Sequence, residues 1–306
     1  LATKANRLDL TDRYDGANDA FRTHVELRAG MTDALFNQAR CWAKQALDEV
    51  GGEGMRDKAV EALREVLRID PQHADAHFWL GRLLLPQQRE EALQSFLIAL
   101  RHPQRGAAQL PPVVSLLANK PDELTKLLSD AMPADSAQWT EAQVPFLVLR
   151  ARFGLEQAGD ELAKPDPQPW RDAEAAYRLA SRPLHQAAAR YWAAQVRWQQ
   201  FLKFRTDATK LDSLVSWLKE ADDKMQEVLA LNADSVAFIE AVRVAVNAKS
   251  IVAQDRRLPK AERVKTIQEA VRLARMAEDK SPSADKQSWV RTRQQLQQAL
   301  QALERE

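Results

Sequence analysis

Glycine is scarce in this chain, with 9 residues in 306, where an average protein carries about 7%. Sheet proteins with many tight turns need more glycine than that, so the shortage argues for helices joined by few connections. Cysteine is nearly absent: Cys41 stands alone, which excludes an intrachain disulfide and any multi-cysteine zinc site. No run of 18 apolar residues occurs, so no segment reads as a membrane span. Excess charge is missing too. Forty-four Lys and Arg stand against 43 Asp and Glu, a net charge of +1 that exerts no global pull on nucleic acid or anionic lipid. The first residues, LATKANRLDL, hold neither an initiator Met nor the apolar core of a signal peptide, and are expected to be a trimmed or fragment start that has lost any targeting segment. A single thiol fits a reducing compartment without excluding the periplasm; the compartment stays open, with the cytoplasm slightly favoured.

What is present is helical periodicity. Apolar residues recur three and four apart almost throughout, and alternating strand-like runs are lacking. Helices are predicted over 35–50, 56–69, 74–85, 89–101, 141–157, 172–180, 184–204, 211–231, 236–253, 260–278 and 287–304. Shorter ones are expected at 113–118 and 122–131. In the second of these, Ala59, Leu63, Val66 and Leu67 form one apolar stripe while Glu61, Arg64, Glu65 and Arg68 face water. The stretch from Pro103 to Pro112 reads as a breaker, and Lys164-Pro-Asp-Pro-Gln-Pro169 as a stiff linker. The organisation expected is therefore helical repeats over 1–102, an irregular helical connector over 103–169 and further helical repeats over 170–306, forming one continuous stack.

The sequence also repeats itself. Ala59, Leu63 and Val66 recur as Ala92, Phe96 and Ala99 after a shift of 33, with weaker copies at Ala173, Tyr177, Ala180, at Ala221, Met225, Val228 and at Ala270, Ala274, Ala277. The small residues let one helix approach its neighbour closely, and the bulky one fills the groove. Asp70-Pro71 stops one helix, Ala74 opens the next, and Leu80-Gly81 follows within it. On these residues, Arg56 to Pro103 resembles tetratricopeptide (TPR) repeats, with a turn one residue short and an unusual Pro86. The resemblance implies an all-α fold, an α-solenoid of antiparallel helix hairpins, about a dozen helices in all. It also implies a non-enzymatic scaffold that holds a peptide or partner protein on a concave face; the Leu1 start favours the expectation that this is the repeat region of a larger signalling or assembly protein. The positions it assigns to that face are the second, fifth, ninth and twelfth of each first helix. These are Asp75, Phe78, Arg82 and Leu85 in the best repeat, and Ala237, Glu240, Val244 and Asn247 in the copy that starts at Val236. That later copy has Arg243 where the family carries Gly. Neither set reproduces the clamp of Lys, Asn and Arg with which some TPR domains hold a peptide C-terminus.

Residues with catalytic or metal-binding chemistry were weighed against plainer roles. His73 and His77 lie four apart and His102 ends an antiparallel partner helix, so three imidazoles could meet; without Cys or further carboxylates the expectation is packing and turn roles, with no metal. Gly51-Gly-Glu-Gly54 lacks the Gly-Lys-Ser/Thr ending of a phosphate loop and reads as a turn. Asp9, Asp12, Asp15 and Asp19 miss the calcium-loop register, which would place Thr11 and Arg13 at ligand positions. Ser216 and Lys219 have nucleophile-pair spacing inside an amphipathic helix with no companion motif. Cys41, beside Trp42 in an apolar helix, reads as an inert core thiol. Arg190 and Arg197, with Tyr191, Trp192, Trp198, Phe201 and Phe204, suggest the alternative function, a single-stranded nucleic-acid-binding helical repeat; neighbouring segments are not basic, so nucleic acid is the unlikely partner. No catalytic residue and no cofactor is assigned, and oligomeric state cannot be read from the sequence.

Overall fold

The computed structural model describes residues 16–17, 19–20, 32–48, 54–231, 236–281 and 283–306. Thirteen α-helices and no strand occur among the described residues. The Asp9–Asp19 cluster falls largely outside them, as do residues 51–53 of the glycine turn. Gly54 lies within them, and its φ of 98° is one that only glycine adopts without strain.

The chain divides into two compact units, residues 1–136 and 137–306. The first contains α1 (Thr32–Leu47), α2 (Met55–Ile69), α3 (Ala74–Leu84), α4 (Arg89–Arg101), α5 (Gly106–Leu117) and α6 (Pro121–Asp130). Helices α1 and α2, and α3 and α4, pack as two successive hairpins, α5 rests on α4, α6 touches α4 and α5, and the odd-numbered helices also touch one another, α1 on α3 and α3 on α5. The core of the first two hairpins is formed by Phe36, Ala39 and Ala43 of α1, Leu63 and Val66 of α2, and Leu80 and Leu83 of α3.

The repeat read from sequence coincides with the packing. Ala59, Leu63, Val66, Ala92, Phe96 and Ala99 are all 0% exposed, so the small and bulky positions are the ones at which helices meet. Gly81 shows why a small residue is required: a Cβ there would come within 2.8 Å of the Phe96 ring and 2.9 Å of the Ala92 carbonyl. At the seam between α2 and α3, Asp70 N–H donates to Val66 O at 2.8 Å and its carboxylate accepts from Gln72 N–H at 3.1 Å. The helix is thereby stopped and the turn held.

The stretch expected to break the chain differs. Residues 106–117 form one helix running through Pro111 and Pro112. The reason is spacing: Gly106, Leu110, Val113 and Leu117 fall on one buried stripe, while Pro111 is exposed, so the carbonyls it leaves unbonded face water. Helices α5 and α6 thus lie inside the segment expected to be an irregular connector, and the boundary between units falls after Ser136. An interior proline is worse than alanine by about 3 kcal/mol, offset by about 1 kcal/mol of unfolded-chain entropy. Pro111→Ala is therefore expected to raise stability by about 1–2 kcal/mol, measured by calorimetry; a lowered melting temperature would show that the ring is needed for packing.

The second unit contains α7 (Val144–Gln157), α8 (Gln168–Leu179), α9 (Pro183–Phe204), α10 (Leu211–Leu231), α11 (Val236–Val252), α12 (Lys260–Lys280) and α13 (Ser283–Arg305). Each packs on the next, and α7, α9 and α11 again touch across one position. Residues from α9 to α13 share one cluster, which includes Met225, Val228, Val242, Ala245, Leu273 and Trp289. The weaker repeat copies sit at its seams: Ala221, Met225, Ala270, Ala274 and Ala277 are 0% exposed. Helix α9, at 22 residues, is longer than those of the first unit, and two buried arginines run along it.

Candidate interaction surfaces

Helix α3 carries four of the assigned positions on one side, three or four residues apart. Asp75 is half-buried and accepts a hydrogen bond from Gln109 Nε2 of α5, which ties two odd-row helices together. Arg82 is half-exposed, with its guanidinium 5.2 Å from the centre of the Trp79 ring. Leu85, at the end of the helix, is partly buried against the core. Phe78 requires a correction. It is 7% exposed, edge-on to Trp79 at 5.8 Å and tilted against Phe96 at 6.1 Å, so its ring is used up in the hairpin's own core.

In the second unit, Glu240 and Asn247 of α11 reach solvent, Glu240 pairing with Arg243 at 3.4 Å. Val244 requires the same correction as Phe78: at 6% exposure it belongs to the core. Ala237 lies outside the residues whose side chains are described. Arg243, at the expected glycine position, extends its guanidinium toward the Trp289 ring of α13, 5.9 Å away. A larger residue is accommodated there because it points across to α13.

Sequence reasoning overlooked Trp79 and Trp42. Trp79 sits one residue past Phe78, and the half-exposed ring under Arg82 is the one that solvent reaches. Trp42 floors an open groove of about 630 Å³ between α1 and α2, together with Leu35 and Ala62, beneath a rim that includes Lys58, Arg64 and Arg68. Two of those cations are committed: Arg64 bonds Glu91 at 2.8 Å and Arg68 bonds Glu65 at 2.7 Å. Both tryptophans lie within amphipathic helices, a signal that cannot say which ring stays uncovered.

The arginines of α9 are structural. Arg190 lies over the Tyr177 ring of α8 at 3.3 Å and pairs with Glu174 at 2.7 Å and Glu227 at 2.5 Å. Arg197, seven residues on, repeats the arrangement over Trp170 at 3.7 Å, pairing with Glu220 at 2.6 Å and Asp166 at 2.9 Å. Tyr177 and Trp170 are themselves seven apart on α8, as are Glu227 and Glu220 on α10, so three helices interlock at two levels. Lys249 of α11 forms a third lock, to Asp222 at 2.6 Å and Glu269 at 2.9 Å. Burial works against its charge, but the two carboxylate bonds prevail and raise its pKa, while Lys249 lowers that of Glu269. Arg150 meets Asp172 at 3.1 Å, and burial pushes that carboxyl up against the arginine's pull. Buried and matched by carboxylates, Arg190 and Arg197 present no free charge to a polyanion.

The histidines do not share one ligand position. His73 Nδ1 accepts from Ala76 N–H at 3.1 Å, His77 Nε2 donates to Pro71 O at 2.9 Å, and His102 Nδ1 accepts from Arg105 N–H at 3.2 Å. Ser216 donates to Glu220 at 3.1 Å. Cys41 is half-buried, and burial raises its thiol pKa, which suppresses the reactive thiolate.

Successive hairpins with small-residue seams and touching odd-row helices define a TPR-like helical-repeat fold. No protein-family model matches the chain, and no curated protein matches it. Among solved structures it is similar to yeast Tom70, at 12% identity over 95% of this chain and 60% of that one, with a TM-score of 0.44. It is also similar to the S. pombe nuclear import adaptor Nro1, at 13% identity over 85% of this chain and 98% of that one, TM-score 0.45. The TPR domain of P58(IPK) gives 16% identity over 94% of both chains, TM-score 0.29. The chain thus spans 60% of the length of the Tom70 structure.

Proposed function

We propose that the chain is a non-enzymatic scaffold that holds a protein or peptide segment along the odd-row helices, with α3 as the principal contact. The observation that carries this reading is the partly exposed pair of Trp79 and Arg82, the guanidinium 5.2 Å from the centre of the ring, with Leu85 beside it and Asp75 one turn before. Tryptophan, tyrosine and arginine are the residues most enriched among those that dominate protein interfaces. Asp75, held by Gln109, supplies an acceptor of fixed position. Glu240 and Asn247 offer a second polar contact surface on α11 of the other unit.

The test uses Arg82, since Phe78→Glu would bury a charge and unfold the hairpin. Arg82→Glu is expected to weaken binding of partners recovered from the native organism by at least about tenfold, the loss of one interface anchor. Circular dichroism should show an unchanged helical signal. Retention of every partner at full affinity by this folded variant would remove α3 from the interface.

A further inference from the structure

Helix α9 carries two kinds of side chain with opposite duties. Arg190 and Arg197 reach to α8 and α10 and are consumed there. Tyr191 and Trp192, one residue on from Arg190, serve the other side, where α9 touches α7 and α11. Trp192 packs against a cluster that includes Ala151 of α7, and Tyr191 against one that includes Val242 and Ala245 of α11. The two rings meet edge to face, centres 5.2 Å apart and planes at 83°. Neither ring is fully buried, so two adjacent aromatics remain open to solvent in the odd row of the second unit.

Charges flank these rings on both sides. Arg152 of α7 is exposed, its guanidinium 5.0 Å from the centre of the Phe153 ring and 6.0 Å from that of Trp192. Arg150, two residues earlier, is paired with Asp172, but no carboxylate among the described residues is bonded to Arg152. Glu240 of α11 stands on the far side. Its 3.4 Å pair with Arg243 joins two half-exposed groups, a contact that water and salt weaken. The Tyr191 hydroxyl feels both flanks. Burial raises its pKa, a side-chain hydrogen bond with Gln195 opposes this, and smaller influences come from Glu240, which raises it, and Arg152, which lowers it. One phenol on α9 is thus within reach of a cation from α7 and an anion from α11.

We infer that Arg152, Trp192, Tyr191 and Glu240 form a docking site within the second unit for a peptide segment that sets a carboxylate beside an apolar side chain, a site that rests on the scaffold reading above but on no residue of α3. The carboxylate goes to Arg152, the cation without a counter-ion, and the apolar side chain lies on the two rings. Tryptophan and tyrosine offer large contact area at small entropic cost, and a carboxylate pair beside them is shielded from water once the segment is seated. The charge order favours a peptide over a nucleic acid. A phosphate backbone is held by repeated cations, whereas here the free cation is followed across the rings by a carboxylate.

A phage-displayed library of random dodecapeptides, selected on the full chain, tests the site. Enriched sequences should carry Asp or Glu next to Leu, Ile or Phe. With the most enriched peptide as the probe, fluorescence anisotropy should show binding weakened at least about fivefold by Arg152→Glu, the effect of setting like charges face to face. Arg152 is exposed, so circular dichroism of that variant should match the wild type. Lysine in place of the peptide's acidic residue should restore binding to the Arg152→Glu chain, which a merely unfolded variant could not do. Arg82→Glu should leave the affinity unchanged. Equal binding to wild type and Arg152→Glu would overturn the site, and loss in Arg82→Glu alone would move the peptide to α3, overturning this site while sparing the scaffold reading. No enrichment on the wild-type chain would overturn it too, with the α3 reading left to its own test. Displacement of the peptide by single-stranded poly-dT at about 150 mM salt would also overturn it, by assigning the strip to a polyanion.

Discussion

Replacing Gly106 with alanine should cost about 3 kcal/mol, at the upper end of what a single overpacking substitution produces. A Cβ at this position would lie 2.0 Å from the Leu100 carbonyl oxygen and 2.8 Å from its carbon. These are backbone atoms at the end of α4, so relief requires moving a helix and no rotamer change suffices. Gly106 N–H also donates to His102 O at 2.8 Å, which fixes how sharply the chain turns from α4 into α5. Gly81→Ala should cost less, about 1–2 kcal/mol, because one of its contacts is a ring that can tilt. Urea unfolding of the two variants decides this: if Gly106→Ala proves no more damaging than Gly81→Ala, the close approach of α4 and α5 is not a constraint. The comparison also checks the helix over 106–117, since a flexible connector over 103–112 would tolerate alanine with little change.

The second large effect is expected at Arg197. Its guanidinium is 6% exposed and serves four acceptors: Glu220, Asp166, Gln200 and the carbonyl of Pro165. Removing one partner of a buried pair costs about 3–5 kcal/mol when the other charge stays buried. Here Asp166 is 60% exposed and Glu220 37%, so both rehydrate in part, which argues for the lower end, about 3 kcal/mol. Alanine also uncovers the Trp170 face and leaves the fully buried Gln200 with one partner fewer. Arg197→Lys should recover only part of the loss, since an ammonium cannot stack flat on the indole while bridging the connector and α10. Calorimetry of the full chain measures both variants. A loss under about 1 kcal/mol for Arg197→Ala would mean that the lock specifies register without contributing stability.

The repeat over 56–103 was legible because its signal is local. Small residues at 59 and 92 and bulky ones at 63 and 96 sit within single helices, and burial follows that spacing. The helix through Pro111 and Pro112 was not legible. Proline is read as a breaker from its own chemistry, whereas the stripe of Gly106, Leu110, Val113 and Leu117 outweighs it only once α4 and α6 provide something to bury against. The arginines of α9 were half legible: their spacing of seven was visible, but Trp170, Tyr177, Glu220 and Glu227 come from other helices, and only packing places them opposite. Phe78 and Val244 show the same limit, because a repeat register gives the position of a residue on its helix and not what the neighbouring helices cover.

The sequence by itself determined the class of secondary structure, the positions of most helices and the seams at which hairpins close, because these depend on periodicity, caps and residue size within one segment. Tertiary structure alone decided which aromatic rings are spent in the core and which arginines are neutralised. Those outcomes depend on pairs of groups far apart in the chain, whose charges and surfaces meet only after the helices have stacked.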